Sequence, residues 1–332
     1  MPPELAARLL ARERDAVAEA LNAIDDRRPG RREAALAMLD AVERGLPFPG
    51  AHRVGLTGAP GAGKSSLLDA LVRRLRARGE TLGLIAVDPS SPRTGGALLG
   101  DRVRVRSGAT DAGVFFRSMA ARDRLGGLAD ATRSSVAVMA AVFDRVFVET
   151  VGVGQSETDV ATLVDTLVYV AQPGAGDLLQ FMKAGVLEVP DVFVVNKADL
   201  GPVARRTQSE LAVGLGLGER PDAGPDGWSP PVLLVSARSG EGTAALVEAL
   251  DAHRAFLAGA SGPAGLAARR RRAAEAFVVE TLERRYGAFG LETLGGAEGL
   301  VARVHEARDE SAFALVLRLG REIEDALRKP RP

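Results

Sequence analysis

Residues 58 to 65 read Gly58-Ala59-Pro60-Gly61-Ala62-Gly63-Lys64-Ser65, directly after the short, mostly apolar stretch Arg53-Val-Gly-Leu-Thr57. A strand running into GxxxxGK[ST] and then into a helix is the pattern of a phosphate-binding loop. Gly58, Gly61 and Gly63 let the backbone turn tightly with its N–H groups aimed at an anion. Lys64 supplies a point charge for the β- and γ-phosphates, and Ser65 offers a hydroxyl to Mg²⁺. Leu67, Leu68, Leu71, Val72 and Leu75 follow at helical spacing, so the helix presents its positive end to the same phosphates. With Ala59, Pro60, Ala62 and Ser66, these residues form the expected nucleotide-binding loop.

Working outward, strand and helix patterns alternate. Strands are expected at Val54–Thr57, Leu82–Val87, Val146–Glu149, Thr166–Ala171, Val192–Asn196 and Val232–Ser236, with helices at Arg133–Phe143 and Thr243–Leu257 among those between them. This alternation predicts an α/β fold: a doubly wound, mostly parallel sheet of the P-loop NTPase kind. Residues 1 to about 48 read as helical, and Gly45-Leu-Pro-Phe-Pro-Gly50 breaks the pattern. Leu266–Phe289 and Ala297–Lys329 read as a C-terminal helical arm after the linker-like Ala258–Gly265. The expected division is an N-terminal helical extension over 1–50, a nucleotide-binding domain over 51–260 and a helical arm over 261–332.

Composition narrows the function classes. The formal net charge is zero, which gives no global electrostatic case for nucleic acid or an acidic membrane. No apolar run reaches membrane-spanning length. The chain has no cysteine, which excludes disulfides and thiolate metal sites and suits a reducing compartment. The Arg-rich N-terminus also carries six acidic residues between Glu4 and Asp26, unlike a transit peptide, so the expectation is cytoplasmic. Nearly every basic residue is Arg; the lysines are Lys64, Lys183, Lys197 and Lys329. In so Arg-biased a chain, a retained lysine hints that a compact ammonium is needed at that place.

Asn196-Lys197-Ala198-Asp199 follows an expected strand and matches NKxD. A carboxylate at Asp199 accepts from both N1–H and the 2-amino group of guanine, whereas adenine would leave it badly paired. Lys197 lays its stem over the base, Asn196 ties this loop to the phosphate loop, and Ser236-Ala237 resembles the element whose N–H faces guanine O6. GTP and GDP are therefore the expected ligands. Glu149-Thr-Val-Gly152 ends another strand where nucleotide hydrolases place an acid for Mg²⁺ and a glycine N–H for the γ-phosphate. Asp88, at the end of the second strand, and Asp101, in a glycine-flanked loop, are either further cation-site carboxylates or ordinary solvated and capping residues.

Taken in order, GAPGAGKS, VDPSSPRTGG-x₃-GD, ETVGVGQSE, PGAGD-x₂-Q-x₂-K-x-G and NKAD resemble the MeaB/ArgK family of P-loop GTPases. These are the GTPase chaperones of adenosylcobalamin-dependent methylmalonyl-CoA mutase, and the resemblance covers most of residues 50 to 260. It implies that Ser65, Asp101 and Glu149 surround Mg²⁺, with Asp88 near the γ-phosphate and attacking water. It implies two switches, from Asp88 to about Asp111 and from Val151 to Thr158, and a third at Pro173–Gly185 that responds to the mutase. There Gln180 and Lys183 become candidate catalytic residues, although from the sequence alone Lys183 is one polar residue on a helix. Phe181 and Ala184 depart from the family's glycine and second lysine, which bears on coupling to the partner rather than on the GTP motifs. A homodimer through the C-terminal arm is implied as well.

Two other functions share the phosphate loop. A metallochaperone GTPase would need Cys or His clusters, and His52, His253 and His305 lie far apart in sequence. A kinase of amino-acid transport machinery would use ATP, which NKAD opposes. Arg269–Arg272 reads as a solvated helix face or a partner patch, Phe277, Val278 and Leu282 as core or a dimer seam, and Trp228 as a loop anchor or surface residue.

Overall fold

The computed structural model describes residues 2–26, 28, 30–89, 111–121, 127–150, 160–174, 189–216, 227–260 and 265–328. Three helices, α1 (Pro2–Leu10), α2 (Arg14–Asp25) and α3 (Arg31–Gly45), precede β1 (His52–Thr57) and α4 (Lys64–Ala77). Then come β2 (Leu82–Pro89), β3 (Val114–Ala121), α5 (Gly127–Val142), β4 (Arg145–Glu149), β5 (Thr166–Ala171) and β6 (Val192–Val195). The chain continues through α6 (Pro202–Gly216), β7 (Val232–Leu234), α7 (Thr243–Gly259), α8 (Leu266–Leu291), α9 (Gly296–Glu306) and α10 (Ala312–Arg328).

The strands pair in the order β3-β2-β4-β1-β5-β6-β7, and every pairing is parallel. The sequence explains the centre of the sheet. Every residue of β4, β5 and β6 is buried, so these strands carry unbroken apolar runs rather than alternation. On one side, Leu67, Leu68, Leu71 and Leu75 of α4 and Leu246, Val247 and Leu250 of α7 close over Val54, Leu56, Val168 and Val194. On the other, Ala204 and Leu211 of α6 pack with Tyr169 and Phe193. The chain builds outward from β1 to β2 and β3, returns to β4 beside β1, and then continues on the far side with β5. A crevice at such a reversal, outside the carboxyl ends of the strands, is where this architecture binds ligands.

β3 is a strand beyond the six expected from the sequence. Among the described residues it lies at the sheet edge and pairs only with β2, and its middle residues Phe115–Ser118 are half-buried, so the continuous apolar run of an inner strand is missing. The C-terminal expectation also changes, because Ala297–Lys329 is two helices. Ser311 ends the break by capping α10: its Oγ accepts from the Ala314 N–H at 3.1 Å and donates to Asp40 at 2.7 Å.

Two compact units result, and they do not follow the three consecutive segments. One comprises residues 1–50, 124–142 and 270–332; the other comprises 51–123 and 143–269 and holds the sheet. Helix α5 belongs to the helical unit, where it packs against α2 and α3. Every residue from Thr132 to Val142 is buried. Phe277, Val278 and Leu282 of α8 are core residues of the same unit, with Phe277 against Phe313 of α10. The Arg269–Arg272 run is anchored rather than merely solvated. Arg269 pairs through both terminal nitrogens with Asp191 (3.0 and 2.8 Å), Arg270 donates to the Pro49 carbonyl (2.7 Å), and Arg271 binds Glu275 (2.8 Å).

At the amino ends of the strands, two histidines distant in sequence join through one hydroxyl. Thr166 Oγ1 lies 2.7 Å from His52 Nε2 and 2.8 Å from His253 Nδ1. Arg145 Nη1 approaches His52 Nδ1 at 3.4 Å, and His253 Nε2 faces Asp191 Oδ1 at 3.4 Å. A guanidinium only donates, so His52 Nδ1 accepts and its Nε2–H donates to Thr166. The threonine then donates to His253 Nδ1, leaving Nε2–H to face Asp191. Each group has one consistent role with both imidazoles neutral, and burial pushes His52 down to about 3 and His253 down to about 4. Burial works against the charge on Arg145 too, but its hydrogen bonds to Glu80 and Asp251 more than compensate and raise its pKa. Trp228 closes the cluster, donating to the Asp191 carbonyl at 2.7 Å with its ring 4.8 Å from that of His253.

Candidate nucleotide-binding site

The opposite, carboxyl ends of the strands carry the sequence motifs. The loop after β1 turns through residues that only glycine serves. Gly58 has φ 135°, and a Cβ there would sit 2.2 Å from the Val170 carbonyl oxygen of β5. Gly63 has φ 89°, and its Cβ would meet Asn196 Nδ2 at 2.5 Å. The loop is thus pressed against its neighbours, which fixes where its N–H groups point.

Lys64 opens α4 and is buried. Its ammonium donates to the carbonyls of Gly58 (2.6 Å) and Ala59 (3.1 Å), so it lies over the loop. Ser65 Oγ donates to Glu149 Oε1 at 2.6 Å, and both residues are buried. The contact follows from topology: β4 lies beside β1, with Glu149 level with Leu56. Two hard oxygen donors at the foot of a phosphate loop match the chemistry of Mg²⁺, which prefers carboxylate, hydroxyl and phosphate oxygens. Asp88 lies in β2, two residues past Ala86, which is level with Glu149. Among the described residues no group of three His, Cys, Asp or Glu could hold a metal by itself. Asp101, Gly152, Gln180 and Lys183 lie outside the described residues, as do most of the three expected switches.

The motifs expected to read the base converge from two further strand ends. Asn196, after β6, is buried and uses its whole amide. Nδ2 donates to the carbonyls of Ala62 (2.9 Å) and Gly63 (3.3 Å), and Oδ1 accepts from the Ala237 N–H (3.2 Å). One side chain therefore pins together the phosphate loop, the NKAD loop and the loop after β7. Lys197 adopts the left-handed conformation (φ 58°) and donates to the Gly61 carbonyl at 2.9 Å, which lays its stem along the loop. Ser236, buried, donates to Asp199 Oδ1 at 2.6 Å. That hydrogen bond holds the Asp199 carboxyl below the usual carboxylate range, so at neutral pH it is an acceptor only.

These elements enclose a cleft of about 530 Å³ lined by Gly63, Ser66, Asn196, Lys197, Asp199 and Ala237, and also by Asp69, Arg73 and Arg238. The last three escaped the motif reading. Their signal is faint but physical: Asp69 and Arg73 stand three and seven residues after Ser66, on one stripe of α4, and Arg238 directly follows Ala237.

Comparisons with known proteins show the family. The family model described as methylmalonyl-CoA mutase-associated GTPase MeaB matches residues 17–286. A Pyrococcus horikoshii protein is 49% identical over 218 residues, covering 65% of this chain and 68% of its own length. The GTPase ArgK of Escherichia coli is 42% identical over 194 residues (58% of each chain). The mouse (Mus musculus) methylmalonic aciduria type A homolog, a mitochondrial protein, is 36% identical over 261 residues (75% of this chain, 61% of that one). Among solved structures, one titled LAO/AO transport system kinase superposes with a TM-score of 0.67 at 25% identity, over 99% of this chain and 98% of that one. With the family model spanning most of its length, the chain belongs to the MeaB family of P-loop GTPases.

Proposed function

We propose that this protein binds and hydrolyses GTP, and that the GTP cycle gates cofactor loading and protection of an adenosylcobalamin-dependent acyl-CoA mutase, methylmalonyl-CoA mutase or a related isomerase. The observation that carries the nucleotide part is the Asn196 amide, which locks the phosphate loop to both base-reading loops. Asp199, anionic and aimed by Ser236, accepts from the guanine edge, and the Ala237 region supplies the N–H side. Lys64 exchanges the loop carbonyls for phosphate oxygens, and Ser65 with Glu149 would hold Mg²⁺, which neutralises phosphate charge when bound. Water attacks the γ-phosphorus, the bond to the β-phosphate oxygen breaks, and GDP and phosphate leave with the water's protons. Asp88, Gln180 and Lys183 are the candidates to act at the γ-phosphate and Asp101 a further candidate for the metal, with Gln180 and Lys183 answering the docked partner.

The mutase part rests on family membership. A nucleotide can drive such a partner only if the GTP and GDP forms bind it with different affinities. The test is turnover of GTP with and without purified methylmalonyl-CoA mutase. Stimulation of at least about tenfold supports the reading, since positioned cations supplied in trans accelerate such hydrolysis by several orders of magnitude in other GTPases. An unchanged rate, with no co-elution in either nucleotide state, would remove the mutase from the proposal. Preference for ATP over GTP would favour a kinase instead. The expected assembly is a homodimer through the C-terminal helices in the cytoplasm, and a monomer mass by light scattering at micromolar protein would contradict the dimer. No helix among the described residues is long and apolar enough to cross a membrane.

A further inference from the structure

A guanine base carries donors and acceptors on neighbouring stretches of its rim. N1–H and the 2-amino group donate and suit a carboxylate such as Asp199, whereas O6 and N7 accept and need donors. Most donors around Asp199 are already spent inside the protein. The Asn196 amide nitrogen donates to the carbonyls of Ala62 and Gly63, and the Ala237 N–H donates to Asn196 Oδ1. The Lys197 ammonium donates to the Gly61 carbonyl, and the Ser236 hydroxyl to Asp199 itself. Ser66 and Arg73 also line the cleft, but from α4 rather than from the loops after β6 and β7.

Arg238 is different. It directly follows Ala237, lines the cleft and is exposed. Among the described residues no hydrogen bond or ion pair holds its guanidinium. The loop that carries it is nevertheless fixed: the Ser239 N–H donates to Ser236 Oγ at 3.2 Å, and the Gly240 N–H to the Ser236 carbonyl at 2.9 Å. Its charge also helps to hold Asp199 ionised, so guanidinium and carboxylate act at the same end of the cleft.

We infer that Arg238 reads the O6/N7 edge of guanine with paired N–H donors while Asp199 reads the adjoining N1 and 2-amino groups. The inference rests on the reading of the cleft as a guanine site and adds to it the group that recognises the acceptor edge. An arginine fork matches O6 and N7 together, and adenine, with an amino group in place of O6, leaves one arm of the fork unpaired. Arg238 therefore adds a second check against adenine, independent of the one Asp199 makes.

Titration of the full chain with GDP, 7-deaza-GDP and inosine diphosphate tests this. The first analogue replaces N7 by C–H and so reports on the arginine edge; the second lacks the 2-amino group and reports on Asp199. The unaltered protein is expected to bind 7-deaza-GDP about tenfold more weakly than GDP. Arg238→Ala is expected to weaken GDP about tenfold or more and to bring GDP and 7-deaza-GDP within about twofold of each other, with the preference for GDP over inosine diphosphate kept within about threefold. GDP binding by Arg238→Ala within about twofold of the unaltered protein would overturn the inference. So would a 7-deaza penalty that is absent from the unaltered protein or undiminished in the variant, since N7 would then be read by no group or by another one. Failure of the unaltered protein to prefer GDP over ADP would instead remove the guanine reading itself.

Discussion

Acid should unfold the sheet-bearing unit through two imidazoles. His52 and His253 are each 1% exposed, and their shared hydrogen-bond chain through Thr166 assigns them the neutral form. The charged and titratable groups facing them are Arg145, Asp165, Asp191, Arg254 and Arg269. Folded values of about 3 and about 4 lie below the ordinary histidine value, so the unfolded chain binds more protons from there up to about pH 6.5. Stability is therefore full above that value and falls as pH drops through it, by up to about 1.4 kcal/mol per pH unit for each histidine. From pH 7 to pH 5 each histidine loses about 1.9 kcal/mol, and the two together about 4 kcal/mol. That is a large share of the roughly 5–15 kcal/mol that keeps a typical protein folded. Trp228, the single tryptophan of the chain, lies against His253 and reports on this cluster. Urea unfolding followed by its fluorescence at pH 7, 6 and 5 should show the midpoint and the extrapolated stability falling together. A His52→Gln, His253→Gln double variant should start less stable at pH 7 yet lose less than about 1 kcal/mol over the same window. A flat profile for the unaltered protein, or an undiminished slope in the double variant, would refute the assignment of neutral, buried imidazoles.

Other substitutions probe the nucleotide end. Asp199→Asn should move preference from GTP toward XTP, because xanthine presents a carbonyl where guanine has its amino group; competition binding measures it, and unchanged GTP preference would remove Asp199 from the base site. Glu149→Gln keeps the shape but removes the charge beside Ser65, so the Mg²⁺ concentration for half-maximal GTP turnover should rise about tenfold or more; an unchanged requirement would place the metal elsewhere. Lys64→Ala should abolish measurable hydrolysis, and retained turnover would argue against the phosphate-loop assignment.

Much of the nucleotide end was legible because its residues are sequential. A phosphate loop must turn within eight residues, so its glycines, lysine and serine are adjacent in the chain. The NKAD residues likewise sit together in one short loop. The inner strands were legible because burial on both faces demands unbroken apolar runs, whereas edge strand β3 carries a half-buried middle and escaped notice. The break that splits the C-terminal helix was missed although Ser311 carries a local cap signal: its Oγ accepts from the Ala314 N–H, and only its second contact, to Asp40, lies far away in the chain.

The sequence by itself determined an alternating α/β chain with a P-loop motif, an NKAD motif and helical ends. Only the tertiary structure decided which distant residues share a site. Strand order brings Glu149 to Ser65 and Asn196 to Ala62, because β4 is laid beside β1 and β6 lies one strand away across β5. It also joins His52 to His253 through a threonine on a third element, and it turns one stripe of α4 into a cleft wall carrying Arg73. Local spacing records what a short segment must do on its own; contacts made by packing separate segments are set by the register and order of the sheet, which no single stretch of sequence contains.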